Sequence, residues 1–308
     1  MNNYQDFAQR IINGDIALHW LLFIDDETEL NGNERSIIDQ LFNNKYRRQR
    51  IINERINWFQ VYDGINFKKR FHLTKEHFMT LFEKVEPKLT HSTDRNNAIP
   101  PIIQLLATLR FYATGSFLLA VADFCGISEV SAHSFIHKAS ETIASLHMEY
   151  IKMPSNDSEM FRNQNENFQI SGFVRVIGVI DCFHVRVKSF GRENSEYFRN
   201  RKGYFSINVQ AIVNSRMEII DLVARWFGST HDSTMFDNSR IKARFENEEF
   251  GSGLLLGDSG YPTLPYLLTP LQNPQSSAEV LYNEALIRTR CLVERCFGVL
   301  QKVFQYWP

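Results

Sequence analysis

Cysteine is scarce in this chain. Its four cysteines (Cys125, Cys182, Cys291 and Cys296) form no Cys-x-x-Cys pair, which excludes a secreted-type disulfide framework. Cys291 and Cys296 sit five positions apart in a helical stretch, a poor spacing for metal ligands. Reduced, partly buried thiols of an intracellular protein are therefore expected. A dominant charge sign is also missing. The formal net charge is −1, so no global positive field advertises nucleic acid, and any such binding must rest on local patches. The segment Met1–Phe7 lacks the basic region and apolar core of a secretory signal. The longest apolar stretches, such as Trp20–Ile24, fall far short of a membrane span. These absences predict a soluble protein of the cytosol or nucleus. The basic run Lys45–Arg50 has the composition of a nuclear import signal and also that of a solvated helix face. The nucleus, with some cytoplasm, is the expected location. No internal repeat or low-complexity tract is evident.

What is present is length and apolar content. With 308 residues, 44% of them hydrophobic, the chain can build two domains with packed cores. Residues 1–150 read as helical. Thr74 is a candidate N-cap for Lys75–Val85, and Pro87 is expected to close that helix. Pro100 and Pro101 open the next one, with a stripe of Ile102, Leu105, Leu106, Leu109 and Tyr112. A helix-turn-helix-like element is expected over 117–145, one helix ending at Gly126 and the second capped by Ser128. Ala122 and Gly126 suit a tight approach of the two helices. The outward positions would be Glu129, Ser131, Ser134 and Lys138, a weakly basic face at best, so plain packing and DNA reading both stay open.

Residues 151–172 are polar and are expected to be a connector. From 173 the pattern switches to strands. Phe173–Val187 is a near-continuous apolar run, as in a central strand covered on both faces. Tyr204–Val213 and Glu218–Trp226 follow as strands around an Asn214-Ser215-Arg216 turn. Asp232–Phe250 reads as helix, Gly253–Gly257 as a fourth strand, Leu267–Leu271 as a fifth, and Ala278–Phe304 as a long amphipathic helix. The expected fold class is α/β (α+β), a mixed sheet with flanking helices over 173–308 preceded by an all-α N-terminal domain.

Three acids stand out in these elements. Asp181 sits inside the first apolar run, Asp258 directly after the fourth strand, and Glu294 on the last helix. A carboxylate in a buried strand is costly unless paired. Three carboxylates from separate elements can hold divalent metal, and hard cations such as Mg²⁺ or Mn²⁺ prefer oxygen ligands. Two such ions about 4 Å apart lower the barrier to phosphodiester cleavage, one activating the nucleophile and one stabilising the leaving oxygen. A ribonuclease-H-type sheet would place the first strand beside the fourth.

The motifs Asp181-Cys-x-His184, Asn200-Arg-Lys-Gly-Tyr204, Gly228-Ser-x-His-Asp232-Ser, Leu256-Gly-Asp258-Ser-Gly-Tyr-Pro262 and Val293-Glu294-Arg-x-Phe297-Gly-x-Leu300 resemble those of the PIF/Harbinger transposases and the nucleases domesticated from them. The resemblance covers about 175–304 in order and spacing, and the helical half more loosely. It implies a DDE nuclease domain of ribonuclease-H-like fold, with Asp181, Asp258 and Glu294 as catalytic metal-binding residues and two Mg²⁺ or Mn²⁺ ions per site. It also implies DNA as substrate and a separate Myb-like DNA-binding partner. Phe205 stands where the family commonly has His, and Phe227 where it has Pro. Family members usually continue past the catalytic helix, so a C-terminally truncated copy is expected.

Asp232 is a candidate auxiliary ligand and equally a residue stabilising the start of a helix. His184, three residues from Asp181, should point to the opposite sheet face. The basic residues Arg186, Lys188, Arg199, Arg201 and Lys202, interleaved with Tyr197, Phe198 and Tyr204, are candidate phosphate contacts. Arg290 and Arg295 flank Glu294 and can contact DNA or pair with nearby acids. A serine hydrolase built on Ser259 would need a later His, and none follows His231. The rival of a different class is a catalytically silent domesticated protein that binds DNA or a partner. Oligomeric state is left open, a homo-oligomer included.

Overall fold

The computed structural model describes residues 54–91, 97–187, 189 and 195–303. The basic run at 45–50 lies outside them. The described residues divide into a helical unit, within 54–111 and 116–141, and a second unit comprising 112–115 and residues from 142 on.

In the helical unit, α1 (Trp58–Val61), α2 (Gly64–Phe71) and α3 (Lys75–Leu89) are capped by Asn57, Asp63 and Thr74, whose side chains accept backbone N–H groups of the first turn. Their core is aromatic. Phe67 and Phe78 are fully buried edge to face at 5.4 Å, with Phe59 against both. Pro87 does not close α3, which runs on to Leu89. Val85 and Leu89, four apart, are both fully buried, and burying Leu89 outweighs the one hydrogen bond that proline removes. Gln104 donates to the orphan carbonyl of Leu89 at 3.3 Å and to that of Ile99 at 2.8 Å. It lies in α4 (Pro101–Thr114), which opens at the proline pair as expected.

The helix-turn-helix-like element forms. Leu118–Cys125 (α5) and the segment Glu129–Tyr150, containing α6 (Glu129–Ala144) and α7 (His147–Tyr150), meet at 97°. Gly126 ends α5 at φ +64°, and Ser128 accepts the N–H of Ser131 at 3.1 Å. The tight approach at Gly126 differs from expectation. A Cβ there would lie 2.3 Å from the Glu54 carbonyl oxygen, so glycine admits the chain at Glu54 rather than the partner helix. Lys138 is half-buried, with its ammonium 3.4 Å from the Leu89 carbonyl oxygen. Among the described residues no single helix is long and apolar enough to cross a membrane.

In the second unit, the stretch expected to be a polar connector contains a helix, α8 (Asp157–Ser171). Asn156 caps it, Glu159 reaches back to the Ser155 N–H at 2.9 Å, and Gly172 ends it at φ +80°. Its inward positions are Asn163 and Asn167, so no apolar stripe announces it. Asn167 donates to the Val176 carbonyl at 3.1 Å, tying α8 to the start of β1 (Val176–Arg186).

The sheet has the order β3-β2-β1-β4-β5, adding β2 (Ser206–Val213), β3 (Ile219–Phe227), β4 (Leu254–Leu256) and β5 (Leu267–Leu268). β1, β2 and β3 pair antiparallel, whereas β4 runs parallel to β1 and β5 parallel to β4. The β2–β3 turn is built on Asn214, whose Oδ1 accepts the N–H groups of Arg216 and Glu218, each at 3.0 Å. The stretch 232–250 forms two helices rather than one, α9 (Asp232–Asp237) and α10 (Arg240–Glu246), because Ser239 caps a new start. Their Phe236, Ile241 and Phe245 join Ile180, Ile212, Ile220 and Leu255 in the core of one sheet face. α11 (Ser277–Val303) is the long helix expected and packs on β1 and α8. Gly228 is packed hard: an added Cβ would sit 2.3 Å from the Phe198 carbonyl oxygen and 2.4 Å from Ser206 Oγ.

Asp221 on β3 has a buried Oδ2 without a hydrogen bond. Burial pushes its carboxyl up to about 6, with Arg244 and Arg240 pulling the other way. A carboxyl raised from 3.8 to about 6 contributes stability below 3.8 that is lost as pH rises to about 6 and stays lost above. Asp221→Asn should therefore stabilise the protein by up to roughly 3 kcal/mol above this window and by little below it. Thermal melts of both proteins across pH check this; an equal gain at every pH would contradict it.

Candidate active site

Strand register brings the first two acids together. Val179 on β1 is level with Leu256 on β4 across a parallel pair. Two residues further along each strand direction come Asp181 and Asp258. β1 is still paired there, with Asp181 opposite Ala211, whereas β4 has just ended. Asp258 turns back on itself, its Oδ1 accepting the Gly260 N–H at 2.9 Å.

Asp232 joins from the start of α9. Its Oδ1 accepts from Asn208 Nδ2 at 3.2 Å. A Cβ added at Gly260 would lie 3.0 Å from Asp258 Oδ1 and 3.5 Å from Asp232 Oδ2, so the missing side chain leaves an open cradle between two carboxylates. Asp181 is close enough to feel both. Burial pushes its carboxyl up to about 6, the Cys182 N–H and Arg290 oppose this, and the charges of Asp258 and Asp232 add to it. Asp181 Oδ1 accepts the Cys182 N–H at 2.8 Å, and Oδ2 lies 3.5 Å from Arg290 Nη2.

α11 supplies that arginine. Its buried face includes Leu286, Val293 and Phe297, and Phe297 meets Phe183 of β1 with ring centroids 4.3 Å apart. Glu294 lies one turn beyond Arg290 and is exposed. The structure thus brings Arg290, not Glu294, onto Asp181. Among the described residues no group of three or more His, Cys, Asp or Glu side chains is close enough to hold a metal ion. Carboxylates without a cation repel, and the guanidinium supplies the compensating charge. The donor chemistry suits hard divalent cations: Asp258 and Asp232 flank the space that Gly260 keeps free, and Asp181 lies within electrostatic reach of both.

One supporting device escaped the sequence reading. Ser206, Asn208 and Gln210 alternate along β2, and all three are buried. Ser206 Oγ meets His184 Nδ1 at 3.1 Å, Asn208 holds Asp232, and Gln210 Nε2 reaches the Tyr261 hydroxyl at 3.5 Å. Polar residues at strand period inside an apolar strand were the available signal. His184 lies on this face, opposite Asp181, as strand alternation predicted, and Cys182 shares the face. Burial, together with Arg201 and Lys202, lowers the pKa of His184 while Asp232 raises it. Cys182 Sγ is 3.1 Å from the Tyr261 hydroxyl, and burial pushes both groups up, so neither supplies an anionic nucleophile.

The basic residues divide. Arg201 and Lys202 are exposed near His184. Arg186 stacks over Tyr204 at 4.6 Å, and Arg199 is held by Glu196 at 2.7 Å while lying over Phe205. Arg295 is exposed, and Lys188 lies outside the described residues.

Comparison with known proteins places this arrangement. The family model described as DDE superfamily endonuclease matches residues 180–307. HARBI1 of Rattus norvegicus, which carries a provisional nuclease name, is 32% identical over 238 residues, 74% of this chain and 68% of the relative. HARBI1 of Homo sapiens is 32% identical over 225 residues, 73% of this chain and 64% of the relative. The ALP1-like protein of Arabidopsis thaliana is 24% identical over 243 residues, 72% of this chain and 59% of its own length. The chain thus spans 64% of the length of the human relative. No solved structure matches it. Its mixed sheet with flanking helices is consistent with the ribonuclease-H-like fold, and the chain belongs to the Harbinger-transposase-derived nuclease family of the DDE superfamily.

Proposed function

We propose that this protein is a metal-dependent DNA endonuclease that cleaves phosphodiester bonds by a two-metal mechanism. Asp181, Asp258 and Glu294 are its catalytic ligands and Asp232 is auxiliary. The observation that supports this best is Asp181 on β1 and Asp258 just past the end of parallel β4, each two residues beyond the paired Val179 and Leu256, with the ionised form of Asp181 disfavoured by burial and by neighbouring acids. Divalent Mg²⁺ or Mn²⁺ bound by these carboxylates supplies Lewis-acid polarisation of the phosphate and activation of the attacking oxygen.

The chain's own residues do the rest. Asn208 fixes the rotamer of Asp232 through a hydrogen bond at 3.2 Å. The Gly260 N–H holds Asp258 Oδ1 at 2.9 Å. Arg290 neutralises Asp181, and its guanidinium is suited to a phosphodiester oxygen when Asp181 is otherwise engaged. Exposed Arg186, Arg201, Lys202 and Arg295 attract the DNA backbone without reading sequence. Sequence choice falls to a separate Myb-like partner, since the outward face of the helix-turn-helix-like element carries little positive charge. The nucleus is the working compartment. One observation favours a second reading, a catalytically silent DNA- or partner-binding protein: Arg290 occupies Asp181 while Glu294 stands apart.

End-labelled duplex DNA with Mn²⁺ separates the two. Asp181→Asn, Asp258→Asn and Glu294→Gln should each lower cleavage by at least about a hundredfold, and the triple variant should be little worse than any single one. Equal activity in wild type and Asp258→Asn would sink the nuclease reading; binding without turnover in wild type would favour the silent one. Metal-free Asp181→Asn should also melt higher than wild type above pH about 6, by up to roughly 3 kcal/mol, the gain vanishing towards 3.8. A loss of stability at high pH would show that Asp181 is a net structural asset instead.

A further inference from the structure

The second helix of the helix-turn-helix-like element carries a cluster that the acidic centre does not use. His133 and His137 lie one turn apart on α6, their Nε2 atoms 3.1 Å apart and their ring centroids 4.3 Å apart. Both rings are half-buried, so solvent reaches the pair. Two nitrogens bound to one zinc at about 2.0–2.1 Å lie about 3.3–3.4 Å apart at the tetrahedral angle, and about 2.8–3.0 Å apart at a right angle. The observed separation falls between those limits. It requires the two rings to share a single Nε2 proton, since two protonated imidazoles would repel at this distance.

The surrounding charge suits a cation. Glu129 precedes His133 by one turn and Glu141 follows His137 by one turn; both are exposed, and the four residues make a single stripe along α6. Among the described residues no third His, Cys, Asp or Glu completes a metal-holding group with the pair. Imidazole is a ligand that zinc accepts and that Mg²⁺ and Ca²⁺ pass over in favour of oxygen. We propose that His133 and His137 chelate a borderline divalent transition cation, zinc for the purpose of testing, at a site chemically distinct from the acidic centre. Two protein ligands leave the remaining positions to water or to an exchangeable ligand on the outward side of this helix.

The test is calorimetric titration of the untagged full chain with Zn²⁺ at neutral pH. One binding event should survive in the Asp181→Asn/Asp258→Asn double variant, whose acidic centre is disabled, so the outcome does not depend on the nuclease reading. That event should weaken at least about tenfold in His133→Gln and in His137→Gln, with helix content by circular dichroism unchanged. Zinc binding equal to wild type in both histidine variants, or no binding in the acid double variant, would overturn the proposal. Should a histidine variant lose helix content, wild type decides: Zn²⁺ should shield His133 and His137 from acylation by diethylpyrocarbonate, and unaltered labelling of both means a simple imidazole hydrogen bond.

Discussion

The carboxylate of Asp181 is the constraint around which the sheet unit is arranged. Placing an acid in the central strand of a covered sheet costs free energy, and burial is the largest influence on its protonation. What makes the position tolerable is local: the N–H of the next residue, a guanidinium from α11, and access from beyond the end of β4. Two neighbouring acids then work against it. These groups cost stability where they stand, and perturbed carboxylates of this kind cluster at functional sites in proteins generally.

The rest of the unit serves that placement. A parallel β1–β4 pair brings Asp258, just past the end of β4, towards Asp181, and parallel pairing requires the crossover that α9 and α10 occupy. α9 in turn delivers Asp232 at its first residue. β2 contributes no acid, yet its buried Ser206, Asn208 and Gln210 hold His184, Asp232 and Tyr261 in place. Gly228 and Gly260 show how little space is spare: one lets the loop at Phe198 close on β2, and the other keeps the gap between Asp232 and Asp258 clear. Across the sheet, Phe297 on Phe183 fixes the height of α11 and so decides which of its residues meets Asp181.

The helical unit is organised by different physics. Its core is a cluster of phenylalanines with edge-to-face contacts, and α1, α2 and α3 begin at side-chain caps. The turn after α5 bends the chain through 97° without presenting a cationic face. Charge on α6 is arranged instead as carboxylates around two imidazoles, a pattern suited to a cation rather than to a phosphate backbone.

Much was legible in the chain itself. The caps at Thr74 and Ser128 and the turn at Asn214 act within a few residues, so their roles follow from local chemistry. Alternation put His184 opposite Asp181, and apolar runs marked β1 and β4 because a strand covered on both faces is largely apolar throughout. Elements whose inward residues are polar were hidden. α8 buries Asn163 and Asn167, which satisfy backbone groups that only folding brings near, and it read as a connector. Pro87 looked like a helix end because the burial of Leu89 that overrides it comes from residues distant in sequence. The acids' identities were set by sequence, but their company was not. That Asp258 and Asp232 flank one cradle, that Asn208 steadies Asp232, and that Arg290 rather than Glu294 rests on Asp181 depend on strand register and on the seating of α11, which long-range packing alone decides.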